Sequence, residues 1–103
     1  MNRAATLMDL LGLSEDELCQ VLASDPLSLL SGEVEQRPEL PILLTLSREA
    51  EERVGVEMLR HWVRASGPRG RPVDALLARD FPRFEAAVEE FVERGFVLRK
   101  TGP

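Results

Sequence analysis

Bond-making chemistry has few candidates in these 103 residues: one cysteine, Cys19, one histidine, His61, and adjacent acid pairs at Glu51/Glu52 and Glu89/Glu90. A zinc site needs three or four convergent nitrogen or sulfur ligands, so one Cys and one His give no metal centre to expect. Adjacent acids on a helix diverge by about 100°, which suits two solvated faces better than a convergent acid–base pair. His61 lies between Arg60 and Trp62, and no Ser or Cys stands in a nucleophile-elbow context. Gly67-Pro68-Arg69-Gly70 is glycine-rich but lacks the following Lys-Ser/Thr of a phosphate cradle. The sequence therefore predicts a protein that is not an enzyme and needs neither metal nor cofactor.

Binding chemistry has better candidates. Arg69 and Arg71 sit in a loop with two glycines and a proline, where long basic side chains reach solvent. Phe96, Val97, Leu98 and Arg99 form an apolar-to-basic stretch of strand-like composition near the C-terminus. Chain ends fray unless docked, so these residues call for a surface on their own domain, on a second copy or on another protein. Ser28 and Ser31 are the polar residues of a short leucine-rich helix that would read DNA in a helix-turn-helix.

The elements that must position these residues are legible from their punctuation. Ala5 to Leu11 places Leu7, Leu10 and Leu11 on one face and stops at Gly12. Ser14 and Glu17 form a capping box that starts a helix running to about Ala23. Asp25-Pro26 starts a third helix that ends near Gly32, and Glu33 to Pro38 reads as a loop. A longer helix follows with Leu40, Leu43, Leu44, Ser47, Ala50 and Val54 on its inner side, closed by Gly55. Leu59, Trp62 and Val63 share a face of the next helix, Glu57 to Ala65. Pro72 opens a short sixth helix, and Asp80 caps a seventh whose Phe81, Phe84, Val88, Phe91 and Val92 recur at helical spacing before Gly95 ends it. The expected fold is all-α: a single domain, 1–103, of about seven short helices. Residues 1–55 form a helix-turn-helix-like region, 56–103 a partner-binding region, and 96–103 a short extended tail.

Composition bounds the partners. Residues 1–45 carry two bases against eight acids, a local charge of −6, whereas residues 46–103 carry eleven bases against ten acids. Phosphate-driven binding wants a basic face, and the helix Pro26-Leu27-Ser28-Leu29-Leu30-Ser31 offers no Arg, Lys, Asn or Gln to a base edge. Any DNA binding is expected to be weak. One cysteine allows no internal disulfide, and no run approaches the ~18 apolar residues of a membrane span. A cytoplasmic protein with no membrane partner is the expectation.

Over nearly its whole length the chain resembles the Xre/MbcA/ParS antitoxins. The resemblance rests on Leu-Gly-Leu-Ser-Glu-Asp-Glu-Leu (11–18), the Trp62 helix, Gly-Arg-Pro (70–72), Val-Asp-Ala-Leu-Leu-Ala-Arg-Asp-Phe (73–81) and a final helix. Its most specific part is 62–98. Where members often carry Pro-Asn after the Trp, this chain has Ala65-Ser66-Gly67-Pro68. The resemblance implies a helix-turn-helix-like N-terminal region and a C-terminal region that neutralises a RES-type toxin, an enzyme that degrades NAD. It also implies that the C-terminal end blocks the toxin's active-site entrance, which assigns Phe96, Val97, Leu98 and Arg99 to partner contact. Two other readings stay open: a helix-turn-helix DNA-binding regulator, and a homodimeric adaptor whose apolar helix faces pair between copies.

Overall fold

The computed structural model describes residues 2–67 and 70–101, with side chains through residue 93. Among the described residues seven α-helices follow one another and no strand forms. They are α1 (Arg3–Leu11), α2 (Glu15–Val21), α3 (Pro26–Ser31), α4 (Glu39–Val54), α5 (Val56–Arg64), α6 (Pro72–Leu77) and α7 (Phe81–Thr101). The all-α expectation holds.

Local chemistry sets the boundaries. The Ser14 hydroxyl accepts the Glu17 amide at 3.1 Å while Glu17 accepts the Ser14 amide at 2.9 Å, closing the capping box. Asp25 accepts the Ser28 amide at 2.8 Å ahead of Pro26, and Asp80 accepts the Arg83 amide at 3.3 Å ahead of α7. Gly12 ends α1 in the left-handed conformation at φ 66°, where a β-carbon would also lie 3.4 Å from Cγ of Arg60. Gly55 joins α4 to α5 at φ 89° and ψ 158°, backbone geometry that is essentially reserved for glycine.

Two boundaries differ from expectation. The predicted loop after α3 winds into a 3-10 turn over Glu33–Gln36, which buries Val34. The extended tail after Gly95 does not form, because α7 continues to Thr101. A lone interior glycine costs only about 1 kcal/mol against alanine, too little to stop a helix already propagating from Phe81. The tail's position is thus the last part of α7, with residues 102 and 103 outside the described residues.

The helices share one continuous core running from Ala4 to Val88. α1 packs on α4 and α5, α4 on α7, α6 on α5 and α7, and α2 on α3 and α6. Leucine and valine supply most of the interior, with Leu7, Leu11, Leu18, Leu40, Leu43, Leu59 and Leu76 fully enclosed beside Phe84. Three of the five aromatics meet at one seam, where Trp62 stacks on Phe91 with centroids 4.4 Å apart and lies 6.1 Å from Phe84.

Charged side chains fasten the helix ends. Glu35, on the 3-10 turn, accepts the amides of Arg3 and Ala4 at 3.1 and 2.9 Å, capping α1 from across the chain. Arg60 and Arg64, one turn apart on α5, grip the other end of α1. Arg60 donates to the Asp9 carbonyl and carboxylate at 2.8 and 2.9 Å, and Arg64 donates to the Gly12 carbonyl at 2.8 Å. The Arg64 fork also takes both oxygens of Glu17, at 3.0 and 2.6 Å, so one carboxylate caps α2 and binds α5 together.

Two stability predictions follow from the packing. Ser47 is completely buried on the inner side of α4, and its hydroxyl finds no hydrogen-bond partner among the described residues. Replacing it removes an unsatisfied polar group, so Ser47→Ala should stabilise the fold by about 1 kcal/mol, read as a higher urea midpoint with unchanged slope. The Arg64 hydrogen bond lowers the Glu17 carboxyl below its ordinary value, against a smaller opposing effect of burial. A depressed folded-state value stabilises the fold fully above the ordinary carboxylate range and loses that contribution as pH falls through the lowered value. Glu17→Gln should therefore lower the melting temperature at pH 7 and narrow its gap to the wild type as the pH is brought towards 3; parallel melting curves across that range would remove Glu17 from the acid response.

Candidate functional site

The chemistry-bearing singletons of the sequence do not come together. Cys19 is buried on α2, and burial raises its thiol above the ordinary value, with Asp16, Asp25 and Glu15 adding to the effect. A thiol held protonated in this way is a poor nucleophile. His61 is exposed on α5, on the far side of that helix from the buried Leu59 and Val63. Among the described residues, no group of three or more His, Cys, Asp or Glu side chains is placed to hold a metal ion. None of these helices is long and apolar enough to cross a membrane.

The binding candidates fall on three places. Arg71 is exposed immediately before α6, where its guanidinium takes both oxygens of Asp74 at 3.2 and 3.1 Å. That fork orients Arg71 along the start of α6, and the pairing is solvent-screened, so it yields readily to a competing carboxylate. The nearby Gly67 and Gly70 exchange backbone hydrogen bonds at 3.1 and 3.0 Å. Arg69 lies outside the described residues. So do the side chains of Phe96, Val97, Leu98 and Arg99, whose backbone belongs to α7.

Ser28 and Ser31 lie on α3, and here the structure adds something that residue type alone did not indicate. α3 contributes no buried residue to the core. Leu27 and Leu30, three positions apart on one face, are 74% and 80% exposed. With Asp25, Ser28, Ser31 and Glu33 they line a shallow, open depression. The Ser31 hydroxyl donates to the Ser28 carbonyl at 3.3 Å and accepts the Glu33 amide at 3.4 Å, so it serves the end of its own helix. The Asp25 carboxyl is lowered by the backbone amide of Ser28, which favours its charged form. An apolar, acid-flanked face presents nothing that attracts a phosphate.

A third surface lies between α4 and α7, and sequence reasoning missed it entirely. The two helices enclose an open groove of about 670 Å³ whose floor is Leu46, Val88 and Val92. Glu49 and Glu52 rise from the α4 side and Glu85, Glu89 and Glu93 from the α7 side, with Arg53 the lone base of the lining. Towards the start of both helices, Leu46 and Glu85 also line a smaller apolar notch of about 90 Å³ beside Ile42 and Phe81. Ile42 is 60% exposed there. Period-3.6 patterning marks inner faces well, but a groove between two helices distant in sequence leaves no signature on either one.

Compared with protein-family models, with curated proteins and with solved structures, the chain finds no match.

Proposed function

We propose that the chain is a non-catalytic binding protein, antitoxin-like, that neutralises a RES-type NAD-degrading toxin by direct contact through its C-terminal region. The observation that supports this reading most is the way the residues carrying the family resemblance fold into one unit. Trp62 of α5 stacks on Phe91 of α7. Between them Arg71 and Pro72 open α6, which buries Val73, Ala75 and Leu76. Asp80 then caps α7, and Arg79 reaches back to Glu39 at 2.9 Å and lies 5.6 Å over the Phe81 ring. The motif order therefore corresponds to a rigid platform for the last turns of α7. A partner contact made by Phe96, Val97, Leu98 and Arg99 would start from that platform. Preorganisation of this kind lowers the ordering cost of binding.

Coexpression tests the reading. With a RES-type toxin induced in a bacterial host, the full chain should restore growth and cellular NAD, and a chain ended after Gly95 should restore neither while keeping its helicity. Continued NAD loss in the presence of the soluble full chain would end the toxin assignment.

The exposed pair Leu27 and Leu30 favours a second reading, a homodimeric adaptor in which α3 faces α3 of another copy. On α3 it is favoured over DNA binding, because Asp25 and Glu33 flank the leucines and no base lies on that helix. Sedimentation at micromolar concentrations should then show a dimer that Leu27→Glu/Leu30→Glu converts to monomer; a wild-type monomer throughout that range counts against it.

A further inference from the structure

We propose that the groove between α4 and α7 is a docking site for a basic amphipathic helix of a partner protein. The inference does not rest on the antitoxin reading: it is argued from the α4–α7 groove as far as Glu93 and names its ligand by chemistry alone.

Three observations carry it. The first is shape. From Glu39 to Arg53 on α4 and from Phe81 to Glu93 on α7, the lining residues of the groove and its notch extend along roughly 20 Å of helix at 1.5 Å per residue. That length matches a guest helix of about thirteen residues lying along the seam, the mode in which apolar anchors one turn apart enter a groove. The second is the floor. Leu46 and Val92 are half-buried while Val88 is enclosed, so the floor is solid hydrocarbon left partly open to water. Apolar side chains recurring at three- and four-residue spacing on a guest would cover it.

The third observation selects the guest. The five glutamates of the walls face each other across this floor with only Arg53 among them, a balance of −4 around an apolar strip. All five are exposed or nearly so on the outer turns of their helices. A guest with lysines or arginines flanking its apolar stripe meets opposite charge on both sides. An acidic guest meets repulsion on both. At the narrow end, Glu39 uses one oxygen on Arg79, while its other oxygen, Oε1, is buried without a donor among the described residues. A basic side chain arriving through the notch would supply that donor. Complementarity of this sort chiefly sets specificity and association rate, with the apolar floor supplying affinity.

The test uses the full chain and a fluorescein-labelled fourteen-residue Leu/Lys amphipathic helix, followed by anisotropy at physiological salt. Two variants each reverse two glutamates and change net charge equally: Glu49→Lys/Glu89→Lys in the groove, and Glu15→Lys/Glu33→Lys away from it. The groove variant should weaken binding by roughly tenfold or more, and the remote variant by much less. Methyl resonances of Leu46, Val88 and Val92 should shift on titration. Equal weakening by both variants would show attraction to net charge alone and overturn the proposal, as would methyl shifts confined to Leu27 and Leu30 on α3. Movement of the same methyl resonances on diluting the chain without peptide would assign the groove to a second copy, which also overturns it.

Discussion

None of the short helices of this protein could persist alone. Isolated helices below about 12–15 residues are marginal in water, because the first turn fixes several residues for a single hydrogen bond. α1 and α5 have nine residues, α2 seven, and α3 and α6 six. Their common condition is burial of leucines in a shared interior, and α4 is the element around which that interior closes. Leu40, Leu43, Leu44, Ser47 and Ala50 form its inner side, and both α1 and α7 pack against it. With so few aromatics available, the interior is assembled from many medium-sized side chains. Trp62, Phe84 and Phe91 are spent together on the one seam that joins α5 to α7.

A leucine core is not directional, and short helices on it need something to fix their angles. The polar ties do this at helix ends. Glu35 covers the free amides of α1, Arg60 and Arg64 cover carbonyls at its other end, and Arg37 donates to the Ala23 carbonyl at 2.7 Å in the turn between α2 and α3. Exposed ion pairs contribute only about 0–1 kcal/mol each, so the ties count less as stabilisers than as hydrogen-bond partners for backbone groups that helix geometry leaves unsatisfied. The Arg64–Glu17 fork is the strongest of them in geometry, since it is bidentate and joined to a capping box. This division of labour sets Arg60 and Arg64 of α5 against α1 and α2.

What the sequence made legible followed from local rules. Capping residues Ser14, Asp25 and Asp80 act over three or four positions, and so the helix starts they predict are the observed ones. The inner face of α4 was legible down to its buried Ser47, because periodicity reports position regardless of polarity. Gly95 misled because a glycine stops a helix only when the chain beyond it has better use for another conformation. The 3-10 turn at Glu33–Gln36 carries Glu35 to the start of α1, a long-range contact that no local window contains. The candidate surfaces were less legible for the same reason. The exposure of Leu27 and Leu30 shows only once α3 is seen to pack through Leu29. The α4–α7 groove exists only once the two helices are side by side.

Folding alone does not account for the two leucines on α3. Single exposed apolar residues are ordinary, and Met58 on α5, 53% exposed, needs no explanation. Leu27 and Leu30 differ because they adjoin on one face of a helix whose structure is already secured by Asp25, Pro26 and Gly32. Serine or glutamate at either position would leave the core untouched. The cap fixes the helix, Leu29 packs it against the core, and Leu27 and Leu30, exposed beside it, are nevertheless apolar. Leu27 and Leu30 thus leave hydrocarbon in water where the fold does not require it, as the open floor of the α4–α7 groove does with different residues.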